Sequence, residues 1–376
     1  MDVKPLPEII PIIEVELSPV WRIAVNGQLR EMDHILVAIL AGIAEHCKLT
    51  HAARAAGITH RHARNLIKGW SDFLGAPLVG MKRGKGTTLT SLGERILWAG
   101  RRIESRLAPE LGGLAADFAH SINEARGITD APLVIHASHD FAVTLLRERL
   151  LKAGITVDLQ TRGSFDALAS LIRGDCAVAG FHVGEGEFGE RLAARFSEIL
   201  SGHDIRLFPL ARRQQGFIVA RGNPKKMHSV SDLARRGVRF INRQRGSGTR
   251  ALLEVLLSAA AVDRRSITGY DNEEVTHSAI AALVAGRQAD VGFGVEAAAK
   301  RFNLDFVPVV SERYFLAMGA SNLARHDIKS LLAIATSSGF FDSVDDIPGY
   351  RSLRAVTADT PRGALGVARI QARVLH

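Results

Sequence analysis

Cysteine is the scarcest side chain with chemistry of its own: Cys47 and Cys176 are the two in 376 residues, and they stand far apart. That spacing excludes a disulfide framework and leaves no cysteine-based metal motif, so both are expected to be small buried residues. Long apolar runs are missing too. The opening stretch MDVKPLPEIIPIIEVELSPV is broken by prolines and acids, so neither a signal peptide nor a membrane span can be built from it. The expectation is a cytoplasmic protein with no membrane partner. Low-complexity tracts are absent, and 47% hydrophobic with 23% charged residues is the composition of an ordinary globular chain, long enough for two or three domains.

Charge is present but unevenly placed. Between Lys48 and Arg102 the cations are Lys48, Arg54, Arg61, Arg64, Lys68, Lys82, Arg83, Lys85, Arg95, Arg101 and Arg102, against Asp72 and Glu94, a surplus equal to the whole chain's net charge of +9. A surplus concentrated in so short a segment is what a phosphate-binding surface requires. Inside it, Leu49 to Leu74 carries two short helical patterns: Leu49, Ala52, Ala53 and Ala56, then Ala63, Leu66, Ile67 and Trp70. Gly57 breaks them, Ile58 packs the corner, and Thr59 can cap the second helix. This is a helix-turn-helix pattern. At about 100° per residue, Arg61, Arg64, Asn65 and Lys68 centre roughly 160° from the apolar stripe. Such side chains reach base edges and phosphates from a helix in the major groove, and the candidate DNA-binding set is Thr59, His60, Arg61, Arg64, Asn65 and Lys68. The alternative is a merely solvated face.

The run CKLTHAARAAGITHRHARNLIKGWSDFLGAPLV, followed by a basic turn and LTSLG, resembles the N-terminal winged helix-turn-helix of LysR-type transcriptional regulators. It is similar also to the molybdate-responsive regulators that share that head. The register holds from Cys47 to Gly93, covering the Ala-Ala pair, the turn glycine, the Leu-Gly-x-Pro-Leu segment and Leu-Thr-x-x-Gly. One departure is that Thr59-His60-Arg61 stands where LysR-type heads often carry Ser-Gln-Pro, which puts base preference in doubt but not fold.

Ahead of this segment, Val15 to Arg30 alternates loosely around Asn26-Gly27, a hairpin signal. Asp33 can cap a helix running to His46, whose stripe Leu36, Ile39, Leu40 and Ile43 completes a three-helix core. After Pro77, LVGMKRGKGTTLT places Lys82, Arg83 and Lys85 at a glycine-rich tip. A wing touching a DNA backbone explains that tip, with a plain surface turn as the alternative. Ser91-Leu92-Gly93-Glu94 fits a capping box, and Ile96, Ile103, Leu107, Leu111, Leu114 and Phe118 have the spacing of a helical seam. In LysR-type regulators the matching element is the linker helix that pairs two subunits, so a homodimer, with a tetramer left open, is what the resemblance implies. Pro109 and Gly112-Gly113 predict a kink or break there. An intramolecular core helix is the alternative.

From Ile128 to Pro132 the character changes, and apolar β-like runs alternate with helical patterns: Leu133 to Ala137, Phe141 to Leu151, Thr156 to Leu159, Asp166 to Arg173 and Cys176 to Phe181. The rhythm resumes from Gly216 to Ala220 and continues to Val310, as in a parallel sheet with crossover helices. The expected organisation is α/β with an α-rich winged head over residues 1–90, a linker helix over 91–127, and a two-lobed effector domain over 128–376 resembling periplasmic solute-binding proteins. Within it, VRFINRQRGSGTRALL, Val238 to Leu253, joins a strand to a helix through Arg245, Gly246, Ser247, Gly248, Thr249 and Arg250. Exposed amides and a helix N-terminus make an anion cradle, with a tight turn bearing surface arginines as the alternative. No Gly-Lys-Ser/Thr follows, so a P-loop is excluded. The phrase closely resembles the solute-binding-like domain of regulators and proteins tied to molybdate and molybdopterin metabolism.

Other strand-to-helix turns should face the same site, namely Ser138-His139, Gly163-Ser164, His182 and Thr276-His277, because ligands in open α/β sheets bind at the carboxyl ends of strands. The candidate ligand set is Ser138, His139, Ser164, Arg245, Gly246, Ser247, Gly248, Thr249, Arg250 and Thr276. Glu274 and Glu296 have no nucleophile, His-x-x-x-His or acid/base arrangement near them and read as structural or gating charges. Catalytic residues, a metal and a cofactor are therefore not expected. Two functions remain. One is a non-enzymatic transcriptional regulator that binds double-stranded DNA and answers a small anion, molybdate, tungstate or a carboxylate such as formate, in control of molybdenum-enzyme or related genes. The other is a small-molecule-binding enzyme or maturation factor for a molybdenum enzyme.

Overall fold

The computed structural model describes residues 13–32, 34–82, 86–127, 131–354 and 357–366. The helix cap expected of Asp33, the tip residues Arg83, Gly84 and Lys85, most of the opening stretch, and the junction 128–130 lie outside the described residues. The chain forms two compact units, Met1–Leu17 with Pro109–Arg212 and Arg313–His376, and Ser18–Ala108 with Arg213–Glu312. Compactness thus groups the basic N-terminal segment with a later stretch of the α/β region.

Strands β1 (Trp21–Val25) and β2 (Gln28–Met32) pair antiparallel through Asn26 and Gly27, both at positive φ, as a two-residue turn between right-twisted strands requires. Helices α1 (His34–His46), α2 (Leu49–Ala55) and α3 (His60–Leu74) then enclose a core of Leu36, Ile39, Leu40, Ile43, Ala52, Ala63, Ile67 and Trp70. Gly57 at φ +69 turns the chain out of α2, and the Thr59 hydroxyl accepts from His62 N at 3.2 Å to cap α3. Arg30 of β2 lies 4.3 Å from the Trp70 ring centroid and donates to Gly69 O at 2.7 Å, tying the hairpin to α3. Strands β3 (Val79–Lys82) and β4 (Gly86–Leu89) form a short ribbon. Cys47 is half-buried rather than fully buried; it follows α1 at φ +52, and its carbonyl accepts from Thr87 N at 3.0 Å, which holds the ribbon against the helices.

Helix α4 runs from Ser91 to Ala125. Its start is capped by Thr90, whose hydroxyl accepts from Gly93 N at 3.2 Å, one residue earlier than the Ser91 box predicts. Nor is there a break at Pro109 or the glycine pair. A proline removes one helical hydrogen bond, and the turns on either side carry the helix through, although the two compact units divide between Ala108 and Pro109.

In the unit that holds Pro109–Arg212, β5 (Leu133–Ala137), β6 (Val157–Thr161) and β7 (Val178–Gly184) are parallel, with β5 in the centre. Helices α5 (Phe141–Lys152), α6 (Ser164–Arg173) and α7 (Glu187–Ile199) accompany them. Cys176, at the approach to β7, is buried as expected, and burial pushes its thiol up to about 11, which keeps it protonated and inert. Strand β8 (Ile205–Val219) begins in this unit and ends in the other.

The other unit continues with β9 (Phe240–Arg243), α8 (Gly248–Ala259), β10 (Glu273–Glu274), α9 (His277–Ala285), β11 (Val291–Val295) and α10 (Glu296–Arg301). Its strand order is β10-β9-β11-β8, parallel except for the antiparallel β11 and β8, and β12 (Asp305–Gly319) lies beside β8. Strand β12 returns the chain to the first unit, where α11 (His326–Ala335), α12 (Ser338–Asp345), β13 (Tyr350–Ser352) and α13 (Pro361–Leu365) finish the described chain.

Gly93 is needed for room. A Cβ there would stand 2.2 Å from Leu78 O, backbone that also accepts from Thr90 N at 3.0 Å and joins the ribbon to the start of α4. Gly93→Ala should therefore destabilise the chain by about 1–3 kcal/mol, the usual range for overpacking. Urea denaturation reads this, and a midpoint equal to that of the wild type would show that Leu78 moves away freely.

Candidate functional site

Helix α3 divides cleanly between packing and exposure. Ala63, Ile67 and Trp70 are buried, whereas Thr59, His60, Arg61, Arg64, Asn65 and Lys68 are all exposed. Among the described residues, none forms an ion pair or side-chain hydrogen bond with Arg61, Arg64, Asn65 or Lys68. Four donors at helical spacing and pointing to solvent can meet an extended acceptor-rich surface without first breaking an internal contact. Lys82 closes β3 opposite Gly86, and Val79, at the start of that strand, packs against the core of the three helices.

The loop between β9 and α8 is built as a helix-terminal turn. Gly246 sits at φ +81, Ser247 caps α8 by accepting from Arg250 N at 3.2 Å, and Ser247, Gly248, Thr249 and Arg250 are all buried. Their charges are divided differently from what the sequence suggests. The Arg250 guanidinium lies 5.0 Å from the Tyr270 centroid, pairs with Glu273 and meets Glu254 at 3.3 Å, so it is committed within the fold. Arg245 is exposed and lies beside Glu273 at 3.4 Å.

Two buried arginines not foreseen from the sequence stand close by. Arg213 of β8 pairs with Glu312 of β12 at 3.0 Å, both side chains fully buried, and Arg243 closes β9. Burial, and then the neighbouring Arg213, push the Arg243 guanidinium down to about 9 despite Glu312, so Arg243 stays charged at neutral pH, and it donates to Gln244 Oε1 at 3.1 Å and Val275 O at 2.9 Å. One strand period from Arg213, Gln215 Nε2 donates to Thr249 Oγ1 at 3.0 Å, linking β8 to the first turn of α8. Thr249 keeps its own hydroxyl proton for another acceptor. The signal in the sequence was ARRQQG, a polar run splitting two apolar ones, and an arginine ending FINR.

In the other unit, β5 and β6 are parallel neighbours whose ends deliver Ser138, His139 and Ser164 to one edge. Ser138 Oγ donates to the Tyr314 hydroxyl at 3.2 Å, which donates in turn to Ser138 O at 2.8 Å. His139 meets Phe141 edge-on at 5.8 Å, and the cap of α5 is Asp140, which accepts from Ala142 N at 2.7 Å. Ser164, the first residue of α6, is fully buried with no hydrogen-bond partner for its hydroxyl. Of the two serine hydroxyls, that of Ser164 can thus answer a new partner without giving up an old one. His182 lies within β7 and stacks on Tyr314 at 6.2 Å.

Thr276 has a different occupation. Its hydroxyl accepts from Ala279 N to cap α9 and donates to Ser105 O of α4, both at 3.0 Å. Beside it, the fully buried Glu274 accepts from Arg102 of α4 at 2.7 Å through one oxygen, and its other oxygen has no hydrogen-bond partner. Strand β10 therefore carries adjacent carboxylates with opposite duties: Glu273 holds the cradle helix through Arg250, and Glu274 holds α4 through Arg102. Glu296 lies 3.9 Å from Lys300 within α10. Among the described residues, no group of three or more His, Cys, Asp or Glu could hold a metal ion, and no helix is long and apolar enough to cross a membrane.

This α/β framework belongs to the PBP superfamily, whose domain matches residues 146–336 of the chain. The uncharacterized protein YvgK of Bacillus subtilis is 30% identical over 222 residues, 59% of this chain and 71% of that protein. An ABC-type phosphate transport receptor from Vibrio cholerae is 17% identical with a TM-score of 0.42, over 58% of this chain and 99% of the receptor. HypT, a hypochlorite-specific LysR-type transcriptional regulator from Salmonella typhimurium, is 11% identical with a TM-score of 0.43, over 81% of this chain and 97% of that one.

Removing Arg102 should expose how much the β10 connection contributes. Arg102→Ala leaves the Glu274 carboxylate buried without its cation, and the expected loss is about 3 kcal/mol, the low end for breaking a buried pair because Arg102 is 35% exposed. Glu274→Gln, which removes the charge and keeps the shape, should lose less. Equal stability of Arg102→Ala and wild type in urea would show that the pair holds nothing in place.

Proposed function

We propose that the chain is a ligand-responsive, DNA-binding transcriptional regulator. The observation that carries this reading is α3: a helix packed on one face, with Arg61, Arg64, Asn65 and Lys68 exposed on the other, inside the segment that holds the chain's entire charge surplus. In this reading α2 and α3 are a helix-turn-helix, α3 enters the major groove, and β3 and β4 are a wing whose Lys82, Arg83 and Lys85 meet phosphates. The resemblance of Cys47 to Gly93 to LysR-type heads supports it. Leu114 and Phe118, one helical turn apart on α4 and 52% and 56% exposed, support a homodimer through that helix, which would set two heads on a palindromic site. The site of action would be the cytoplasm, where the DNA is.

The effector in this reading is a small anion held by the amides and hydroxyls of Ser247, Gly248 and Thr249, with Arg213 and Arg243 supplying charge. Molybdate or tungstate fits the resemblance of Val238 to Leu253, and formate fits the same donors; the genes controlled would be those of molybdenum enzymes or related metabolism. Regulation would run through β10. A ligand that shifts the cradle helix loads Glu273, and the next residue, Glu274, grips α4.

DNA binding is tested by titrating the full chain with a duplex selected from random-sequence DNA, at several salt concentrations. Affinity should fall steeply with salt, Arg64→Ala and Asn65→Ala should each lose about 1–3 kcal/mol and relax base preference, and sedimentation of the same preparation should give a dimer. Salt-independent binding, or full affinity in both variants, would overturn the reading. The effector is tested separately by thermal shift of the full chain with molybdate, tungstate and formate. The ligand at 100 times its Kd should stabilise by about 2.7 kcal/mol. Thr249→Val should weaken it roughly ten- to a hundredfold, and Gly248→Asp, which sets a carboxylate in the first turn, should abolish the shift. A full response in Gly248→Asp would move the effector elsewhere.

A further inference from the structure

A second cavity, remote from the cradle in sequence, lies within the unit Ser18–Ala108 with Arg213–Glu312. It has a volume of about 410 Å³ and is walled by α1 and α4 on one side and by the end of β8 and the last turns of α9 and α10 on the other. That volume falls in the range of small-molecule sites. Its lining is strongly biased in charge: Arg101, Arg221, Arg287, Lys300 and Arg301 against Glu45. Lys300 reaches back to Glu296 at 3.9 Å, but among the described residues Arg101, Arg221, Arg287 and Arg301 form no ion pair. The remaining wall is aromatic. Trp98 and Phe302 approach at 6.2 Å, and the Arg101 guanidinium lies 5.7 and 5.6 Å from their centroids.

Helix ends explain part of this. Cations at the last turns of α9 and α10 are favoured by the negative ends of those helices, which suits Arg287, Lys300 and Arg301. That effect does not reach Arg101, which stands mid-helix in α4, or Arg221, which follows β8. Burial and then Arg301 hold the charged form of Arg101 back, and Glu104 and Glu45 offset part of that. Guanidiniums that outnumber the nearby carboxylates Glu45 and Glu104, beside two rings, match a molecule that has a flat unsaturated body at one end and several anionic oxygens at the other.

We propose that this cavity binds a nucleoside phosphate, its base lying against Trp98, Phe302 and the plane of Arg101 and its phosphate meeting Arg221, Arg287 and Arg301. The site takes its walls from both the α1–α4 segment and the α/β segment of the unit, so the bound molecule fastens one to the other. It stands apart from the anion cradle and does not depend on DNA binding.

The test is isothermal titration of the full chain with adenosine monophosphate, with adenosine, ribose 5-phosphate and inorganic phosphate as the parts of that molecule. Saturable binding of the nucleotide, at least tenfold tighter than any of the three parts, is expected. Arg221→Gln with Arg301→Gln, both on exposed side chains and so harmless to folding, should weaken it at least tenfold, and Trp98→Leu should bring the nucleotide down to the affinity of ribose 5-phosphate. Gly248→Asp should leave it unchanged. The proposal is overturned if the nucleotide does not bind saturably, if the double variant binds it as the wild type does, or if Gly248→Asp abolishes it and so assigns the binding to the cradle.

Discussion

The charge cluster of Arg213, Glu312 and Arg243 is the constraint on which the α/β region turns. Bringing an arginine and a glutamate out of water costs more than one weak contact returns, so the pair persists only where β8 and β12 hold both side chains at bonding distance. Those are the two strands that belong to both compact units, and the division falls beside Arg213 on one and Glu312 on the other. The approach of the strands is equally unforgiving: a Cβ on Gly216 would lie 2.1 Å from Val307 O. A strand pair pinned in register by a fully buried ion pair fixes where Gln215 points, and Gln215 in turn reaches Thr249 at the head of α8. The third member, Arg243, leaves the cluster with more cation than carboxylate.

A second consequence is that the basic N-terminal segment is not a separate appendage on a linker. Arg102 and Ser105 of α4 are held by Glu274 and Thr276, and Trp98 lies beside Phe302. These contacts use the polar groups that end β10 and begin α9. Because Glu273 and Glu274 are consecutive, a displacement of one along the strand must be felt by the other, whatever the cause of the displacement.

How much of this could be read from residues alone depended on how local the cause was. Asn26-Gly27, the Gly57 turn, the Thr59 cap and the two faces of α3 follow from a few neighbouring side chains, and the strand-helix alternation from Leu133 to Phe181 follows from apolar periodicity. The apolar rhythm shows only part of strands β8 and β12, the run from Gly216 to Ala220 and the stretch that ends at Val310. The polar residues from Arg212 to Gln215 and from Ser311 to Arg313 break their apolar pattern because their partners are distant in sequence: Gln214 donates to Ser311 Oγ at 2.8 Å, Arg213 pairs with Glu312, Gln215 reaches Thr249, and Arg212 and Arg313 both lie against Glu185. The chemistry of the cradle was misdivided for the same reason. A loop sequence displays Arg245 and Arg250, but only the long-range partners Glu273, Glu254 and Tyr270 reveal that Arg250 is already committed.

Arginine therefore serves two physically distinct purposes in this chain, and salt distinguishes them. The cations of α3 are exposed, and their attraction to a distant phosphate is screened over a Debye length of about 8 Å at physiological ionic strength. Arg213 and Arg243 are buried in a medium that ions do not enter, so their field at the first turn of α8 is nearly independent of added salt. A net charge counts both kinds alike, yet only the exposed kind projects its field into solvent. The buried kind acts only at short range inside the fold, where Arg213 pairs with Glu312 and Arg243 donates to Gln244 and Val275 O.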